Sequence, residues 1–154
     1  MSASRRLTAR VVGRTTWRLT QLMSETNKEL VEGFGAALQR GDPADAARRF
    51  HRQYRSNSWG GDLMTTWEKM QEWAASGALT DIEVVTRDLV SEGDRVVAHT
   101  LFRATHGGEL LGVSATGRRL EFHSLEMWRV EDGKLVEHWG GLRETVRLYE
   151  QLTQ

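Results

Sequence analysis

Apolar residues recur at helical spacing in the first half of the chain and alternate with polar ones from residue 81 onward. Leu30, Val31, Phe34, Ala37 and Leu38 form one helical stripe. Ser24-Glu25-Thr26-Asn27, just before it, are residues of the N-capping type, so a helix is expected to start there and to end near Gly41. Asp42 can cap a second helix, Ala44–Phe50, with Pro43 in its first turn. The segment QYRSNSWGGD (53–62) is turn-rich and carries Tyr54, Ser56, Asn57 and Trp59. A third helix, Leu63–Ala75, puts Met64, Trp67, Met70 and Trp73 on one face, expected as core first and as cavity wall second.

From residue 81 the period is two. DIEVVTRDLV, DRVVAHTLFRATH, RRLEFHSLEMWRV and KLVEHWGG read as strands separated by Glu92-Gly93-Asp94, by Gly107-Gly108 with the 112–117 segment, and by Asp132-Gly133. Helices followed by a strand meander give an α+β fold, with the helices packed on one face of a curved antiparallel sheet. The expected organisation is one domain over 23–154 behind a basic extension, residues 1–22.

Composition narrows the function. A chain of 154 residues makes one domain, and 39% hydrophobic with 27% charged residues is ordinary for a soluble protein. Formal net charge is zero, so no global field draws in nucleic acid or an anionic membrane. Cysteine is absent, which removes disulfide and thiolate chemistry. No apolar run approaches the roughly 18 residues of a membrane span. Six tryptophans supply core and, in part, flat walls for planar ligands. Residues 1–22 hold five arginines (5, 6, 10, 14 and 18) and no acid, leaving the rest with 16 basic and 21 acidic residues. Arg10, Arg14 and Arg18 break the apolar stretch that a twin-arginine signal needs after Arg5-Arg6. A flexible or loosely docked basic helix is expected there, with a partner-binding or subunit-contacting arm as the alternative.

The element order, with GELLGVSATGRRLEF (108–122) and RVEDGKLVEHW (129–139), resembles the SnoaL-like polyketide cyclase family. The resemblance covers roughly 27–150. It implies the α+β cone shared with ketosteroid isomerase and nuclear transport factor two, with an internal pocket. It also implies a small cytoplasmic acid–base enzyme of secondary metabolism and antibiotic biosynthesis, with no cofactor and no metal. Its partner would be an aromatic or polyketide-derived small molecule. In that family an aspartate following a histidine-containing pair on the last strand acts as general acid/base, and the matching position here is Gly140. A ligand-binding histidine matches Glu126, a polar residue matches Ser124, and an asparagine matches Ser56, with Asn57 beside it. Proton-transfer groups are thus relocated or lost.

The hairpin decides whether they can be rebuilt. A two-residue turn at Asp132-Gly133 pairs Glu131 with Lys134 and Glu126 with Trp139. A three-residue loop with Gly133 as a bulge pairs Val130 with Lys134, Trp128 with Val136, Glu126 with His138 and Ser124 with Gly140. The second is favoured because one face then carries Phe122, Ser124, Glu126, Trp128, Val136, His138 and Gly140. Directly opposed Cβ atoms are about 5 Å apart, so Glu126 and His138 could form a catalytic dyad. A satisfied buried ion pair is the plainer alternative. Ser124, Trp128, Phe122, Ser56, Asn57, Trp59 and Gly140 are expected to bind substrate, and Gly140→Asp to restore the family carboxylate.

His99 and His123 fall on the outer face, while His106 and His51 are expected at the surface without partners. No histidine or carboxylate spacing marks a metal site. Gly107-Gly108 lacks the lysine or helix start of a phosphate cradle, and Arg118-Arg119 reads as a solvated pair. The leading expectation is a cyclase or isomerase. The alternatives are a hydroxylase of the same fold with a reductase partner, and a non-catalytic ligand-binding or assembly module. A homodimer through the outer face is expected from Leu125, Met127, Leu135 and Trp139.

Overall fold

The structure is a computed structural model describing residues 8–141, 145, 146, 148, 149 and 151, with side chains from Gln21 onward. Helices α1 (Thr8–Gln39), α2 (Pro43–Ala47) and α3 (Leu63–Ala75) accompany the strands of the sheet, and the described residues 145, 146, 148, 149 and 151 are also helical. The strands are β1 (Phe50–Ser56), β2 (Leu79–Glu92), β3 (Arg95–His106), β4 (Arg119–Glu131) and β5 (Lys134–Gly140). They form one sheet in the order β1-β5-β4-β3-β2. The α+β architecture matches the expectation, with one addition: β1 joins the edge in parallel, Phe50 beside Leu135 and Ser56 beside His138.

That strand corrects the second helix, which stops at Ala47 instead of Phe50. Asp42 caps it as expected, accepting from Asp45 N at 2.9 Å. Phe50 leaves the helix because it serves the core, edge-on to Phe34 at 5.1 Å and to Tyr54 at 4.6 Å. Part of 53–62 is therefore strand, with Tyr54 and Ser56 turned inward.

The first helix does not start at Ser24–Asn27 but runs through them. Their side chains are engaged elsewhere. Thr26 Oγ1 donates back to Leu22 O, Ser24 Oγ to Ser91 O, and Asn27 Nδ2 to Gly93 O. The last two tie α1 to the β2–β3 turn. Arg5 and Arg6 lie outside the described residues.

Val31 of α1 packs with Val96, Ala98, Trp128, Val130 and Leu135 from three strands, flanked by Leu30, Phe34, Phe50 and Leu89. Alternation assigns the inner face of β4 to Leu120, Phe122, Ser124, Glu126, Trp128 and Val130, facing Ala104 to Val96 of β3. On α3 the expected apolar stripe is not core. Met64 is 66% exposed, Trp67, Met70 and Trp73 are half-buried, and the buried residue is Thr66.

The outer face is laced with charge. Arg103 meets Glu121 at 2.8 Å, Arg119 meets Glu83 at 2.9 Å, and Arg129 holds Glu131 and Glu137 at 2.6 Å each. Leu135, expected there, is fully buried inside, and Arg95 covers the Trp139 ring at 5.2 Å. Of the four residues expected to make this face apolar, Leu125 alone is largely exposed, at 64%. No helix among the described residues is long and apolar enough to cross a membrane.

Candidate active site

The β4–β5 hairpin follows neither expected register throughout. It begins on a two-residue turn, Glu131 opposite Lys134, with Asp132 and Gly133 both at positive φ (51° and 68°). This is the geometry of a type I′ turn. Val130 then pairs with Leu135 but Arg129 with Glu137, so Val136 is an extra residue in β5. The bulge moves the register by one. His138 ends up opposite Trp128 and Glu126 opposite Gly140, in place of the expected Glu126–His138 and Ser124–Gly140 pairs. Because the bulge restores the pleat, Glu126 and His138 still share the inner face as diagonal neighbours.

Gly140 and Gly141 explain how the strand ends. Gly140 sits at φ 95° and Gly141 at φ 84°, a region open mainly to glycine. A Cβ on Gly140 would collide with the Leu125 carbonyl oxygen, and one on Gly141 would lie 3.2 Å from Glu126 Oε1. The expectation that Gly140→Asp restores a carboxylate is therefore overturned: backbone occupies the space an Asp side chain must start from. Gly140 lies against the backbone of Leu125 and Glu126.

His138 is buried between Trp128, whose ring lies 5.2 Å away, and Ser56. Ser56 Oγ accepts from Trp59 N at 3.0 Å, which frees its own proton for His138 Nδ1 at 3.4 Å. That assigns the proton of the neutral imidazole to Nε2. This Nε2 is buried without a hydrogen-bond partner, while the equally buried Ser124 Oγ acts on the Glu126 carboxyl. An orphaned ring nitrogen in a buried interior is what a ligand's oxygen would satisfy.

Nε2 of His138 lies 3.9 Å from Glu126 Oε2, ion-pair distance by geometry but too long for a hydrogen bond. Their titration argues against a charged pair. Burial lowers the His138 imidazole to about 4 and pushes the Glu126 carboxyl above its ordinary value, with the Ser124 hydroxyl opposing the latter. At neutral pH the imidazole is uncharged, so the contact is no salt bridge. The Glu126 side chain is 23% exposed and so remains reachable.

Tyr54, which sequence reasoning passed over as a turn residue, belongs to this group. It is 3% exposed, and burial holds its phenol protonated, aided by the Glu126 charge and opposed by Ser56. The inward alternation of Tyr54 and Ser56 was the available signal. Phe122 lies farther along β4, stacked on Phe102 at 5.4 Å. Trp59 packs edge-on to Trp73 at 6.3 Å. Asn57 is exposed, and its N and Nδ2 both donate to His138 O. It secures β5.

The remaining histidines sort unevenly. His99 and His123 are on the outer face as expected. His106, expected at the surface, is 5% exposed, its Nδ1 is 2.9 Å from Thr116 Oγ1, and its Nε2 is orphaned. The gap is physical: inward alternation carries to the end of β3, and the glycine-rich loop beyond covers it. His51 lies on β1 rather than on a helix, accepting from Gln53 N at 3.1 Å.

A family model described as SnoaL-like polyketide cyclase matches residues 28–152. The chain belongs to the SnoaL-like polyketide cyclases. Among solved structures, TsrD from Streptomyces laurentii is 29% identical with a TM-score of 0.64, covering 83% of this chain and 95% of its own. AclR from Streptomyces galilaeus, named as a candidate hydroxylase, is 26% identical at TM-score 0.63, covering 83% and 98%. IdmH from Streptomyces antibioticus, named as a candidate polyketide cyclase, shares the fold at 24% identity and TM-score 0.61, covering 81% and 98%. No curated protein matches the chain at the significance these structures reach. The SnoaL-like cone is thus the fold, and small polyketides are the substrate class of its family.

Proposed function

We propose that this SnoaL-like protein closes a ring in an aromatic or polyketide-derived intermediate, by acid–base chemistry of Glu126 assisted by His138 and Ser124. The observation that carries the reading is the meeting of a carboxyl raised by burial with the unpartnered Nε2 of the buried His138 and the buried Ser124 hydroxyl on one inner face. Gly140 stands where the resemblance places the family's aspartate, and Glu126 takes over as proton carrier.

Roles follow from protonation. A neutral imidazole with its proton on Nε2 is a donor, so within the expected dyad His138 acts as an electrophile and leaves the role of base to Glu126. Its N–H and the Ser124 hydroxyl hydrogen-bond the substrate's carbonyl oxygen, where negative charge develops. Glu126, its pKa moved toward neutrality, removes a proton from the carbon next to a carbonyl. The resulting enolate carbon bonds to a second carbonyl carbon of the same molecule, and the alkoxide takes the proton back from Glu126. Product and substrate are isomers. Holding both ends of one chain in an apolar cone lowers the barrier by positioning as well. Ser56 sets the imidazole tautomer, and Tyr54 packs behind it.

A second reading, hydroxylation with a reductase partner, is favoured by the likeness to AclR, named as a candidate hydroxylase. Mass spectrometry of the product separates the two. Ring closure leaves the mass of an open-chain aromatic β-keto ester unchanged, with or without NADPH and a reductase. A product heavier by one oxygen atom, formed only with them, contradicts the cyclase reading.

A further inference from the structure

On the outer face, away from the interior site, two strands bring a pair of imidazoles together. His99 of β3 and His123 of β4 are 24 residues apart in sequence, and their Nε2 and Nδ1 atoms are 2.8 Å apart. Asp88 of β2 holds the other ring nitrogen, Oδ2 to His99 Nδ1 at 3.0 Å. A carboxylate accepts from Nδ1–H, which leaves the lone pair of a neutral His99 on Nε2. The two facing nitrogens then share one proton between two lone pairs.

We infer that this pair is a binding site for a divalent late transition-metal ion, with His99 Nε2 and His123 Nδ1 as ligands and Asp88 as the carboxylate behind the first. The metal takes the place of the shared proton, and the proton of His123 moves to Nε2. A carboxylate on the far nitrogen is the recurrent outer partner of a metal-bound histidine: it fixes the ring and raises its basicity.

Distance chooses among ions. Metal–nitrogen bonds of about 2.0–2.1 Å put two ligands about 2.9 Å apart at a right angle and about 3.4 Å apart at a tetrahedral angle. The observed 2.8 Å already fits the first. Right-angled nitrogen ligation is the preference of Cu2+ and Ni2+, so these fit with the smaller movement. Each ring must swing until its lone pair points beside the line joining the nitrogens; the His99 side chain is 35% exposed and His123 is exposed.

Glu121, two residues before His123, is held by Arg103 at 2.8 Å and is not counted as a ligand. No group of three or more metal-ligating side chains occurs among the described residues, so water completes the coordination. Spacing along the chain could not reveal a pair made across strands.

The test is calorimetric titration of the full, tag-free chain with Ni2+. One ion per chain is expected. His99→Gln and His123→Gln should each weaken binding at least 10-fold, and Asp88→Asn about 10-fold, the lower end for losing an outer carboxylate. His51→Ala, at the other exposed imidazole, should bind as the parent does. Electron paramagnetic resonance of the Cu2+ form should show two nitrogen ligands. Melting temperatures establish that each variant is folded, and alanine replaces glutamine at a position where the glutamine variant is not. The inference is overturned if a folded His99 or His123 variant keeps parental affinity, or if the Cu2+ spectrum lacks paired nitrogens.

Discussion

At the scale of single residues, Gly140 and His138 carry the most consequence. A side chain at Gly140 meets both the left-handed φ of 95° and the Leu125 carbonyl oxygen. The φ alone costs about 1–2 kcal/mol for an L-residue. Gly140→Ala should therefore lower the melting temperature by at least about 2 °C at this chain length. Calorimetry showing an unchanged melting temperature would contradict the geometry. For His138 the sign is set by its depressed value: between about 6.5 and about 4 the unfolded chain binds a proton that the native chain refuses. Stability should fall across that window as pH drops, by on the order of 3 kcal/mol. Glu126 acts in the opposite sense, since its raised pKa favours the protonated native state and loses that contribution as pH rises. Denaturant titrations of His138→Gln should show a flatter dependence between pH 6.5 and 4 than the parent; an equal slope would place the acid sensitivity elsewhere. Residue identity at these positions was legible in the sequence, and His138, Glu126 and Ser124 all face inward as alternation required. Their protonation was not legible, because it depends on the Trp59 N–H that fixes Ser56 and on burial from strands far apart in sequence.

At the scale of elements, hydrophobic period found every long strand and α3, and failed where a residue's local preference was overruled by a distant partner. Ser24, Thr26 and Asn27 look like a helix start, yet β2–β3 carbonyls take the side chains of Ser24 and Asn27. Phe50 fits a helical stripe, yet Phe34 and Leu135 draw it into a strand. The hairpin turn was offered correctly as one of two alternatives, but the bulge at Val136 leaves no mark in local sequence. It answers to the buried demand of Leu135 and His138 for the same face, and it leaves Glu126 and His138 on that face two residues out of direct opposition. The anchoring of α1 bears on its basic start. The first described side chain tying it to the sheet is Ser24, while Leu22 and Met23 are 65% and 63% exposed. Removing residues 1–22 should thus leave the far-UV spectrum of the remaining domain native-like and its melting temperature within a few degrees of the parent. Aggregation or a large drop in melting temperature would make the arm part of the fold.

At the scale of the whole molecule, the sheet separates two environments. Its inner face is apolar with a few unpartnered polar atoms, and its outer face is a lattice of ion pairs with two hydrogen-bonded imidazoles. Exposed ion pairs of this kind contribute little stability each, so the outer face keeps the protein in water while the inner face supplies the core and the chemistry. The cone itself could be read from element order and two glycine-bounded segments. Tyr54 left only the short alternation with Ser56 as a signal, because the parallel strand carrying it is recognised only once β5 is in place. The central claim is that Glu126 moves the proton in ring closure, and the direct measurement is kcat of Glu126→Gln against the parent on an open-chain aromatic β-keto ester, followed across pH. Glutamine keeps volume and hydrogen bonding, so KM should change little while kcat falls roughly 100-fold or more, the scale of losing a general acid or base. The pH limb assigned to the carboxyl should vanish with it. A glutamine variant that turns over at the parental rate with the same pH profile would contradict the account.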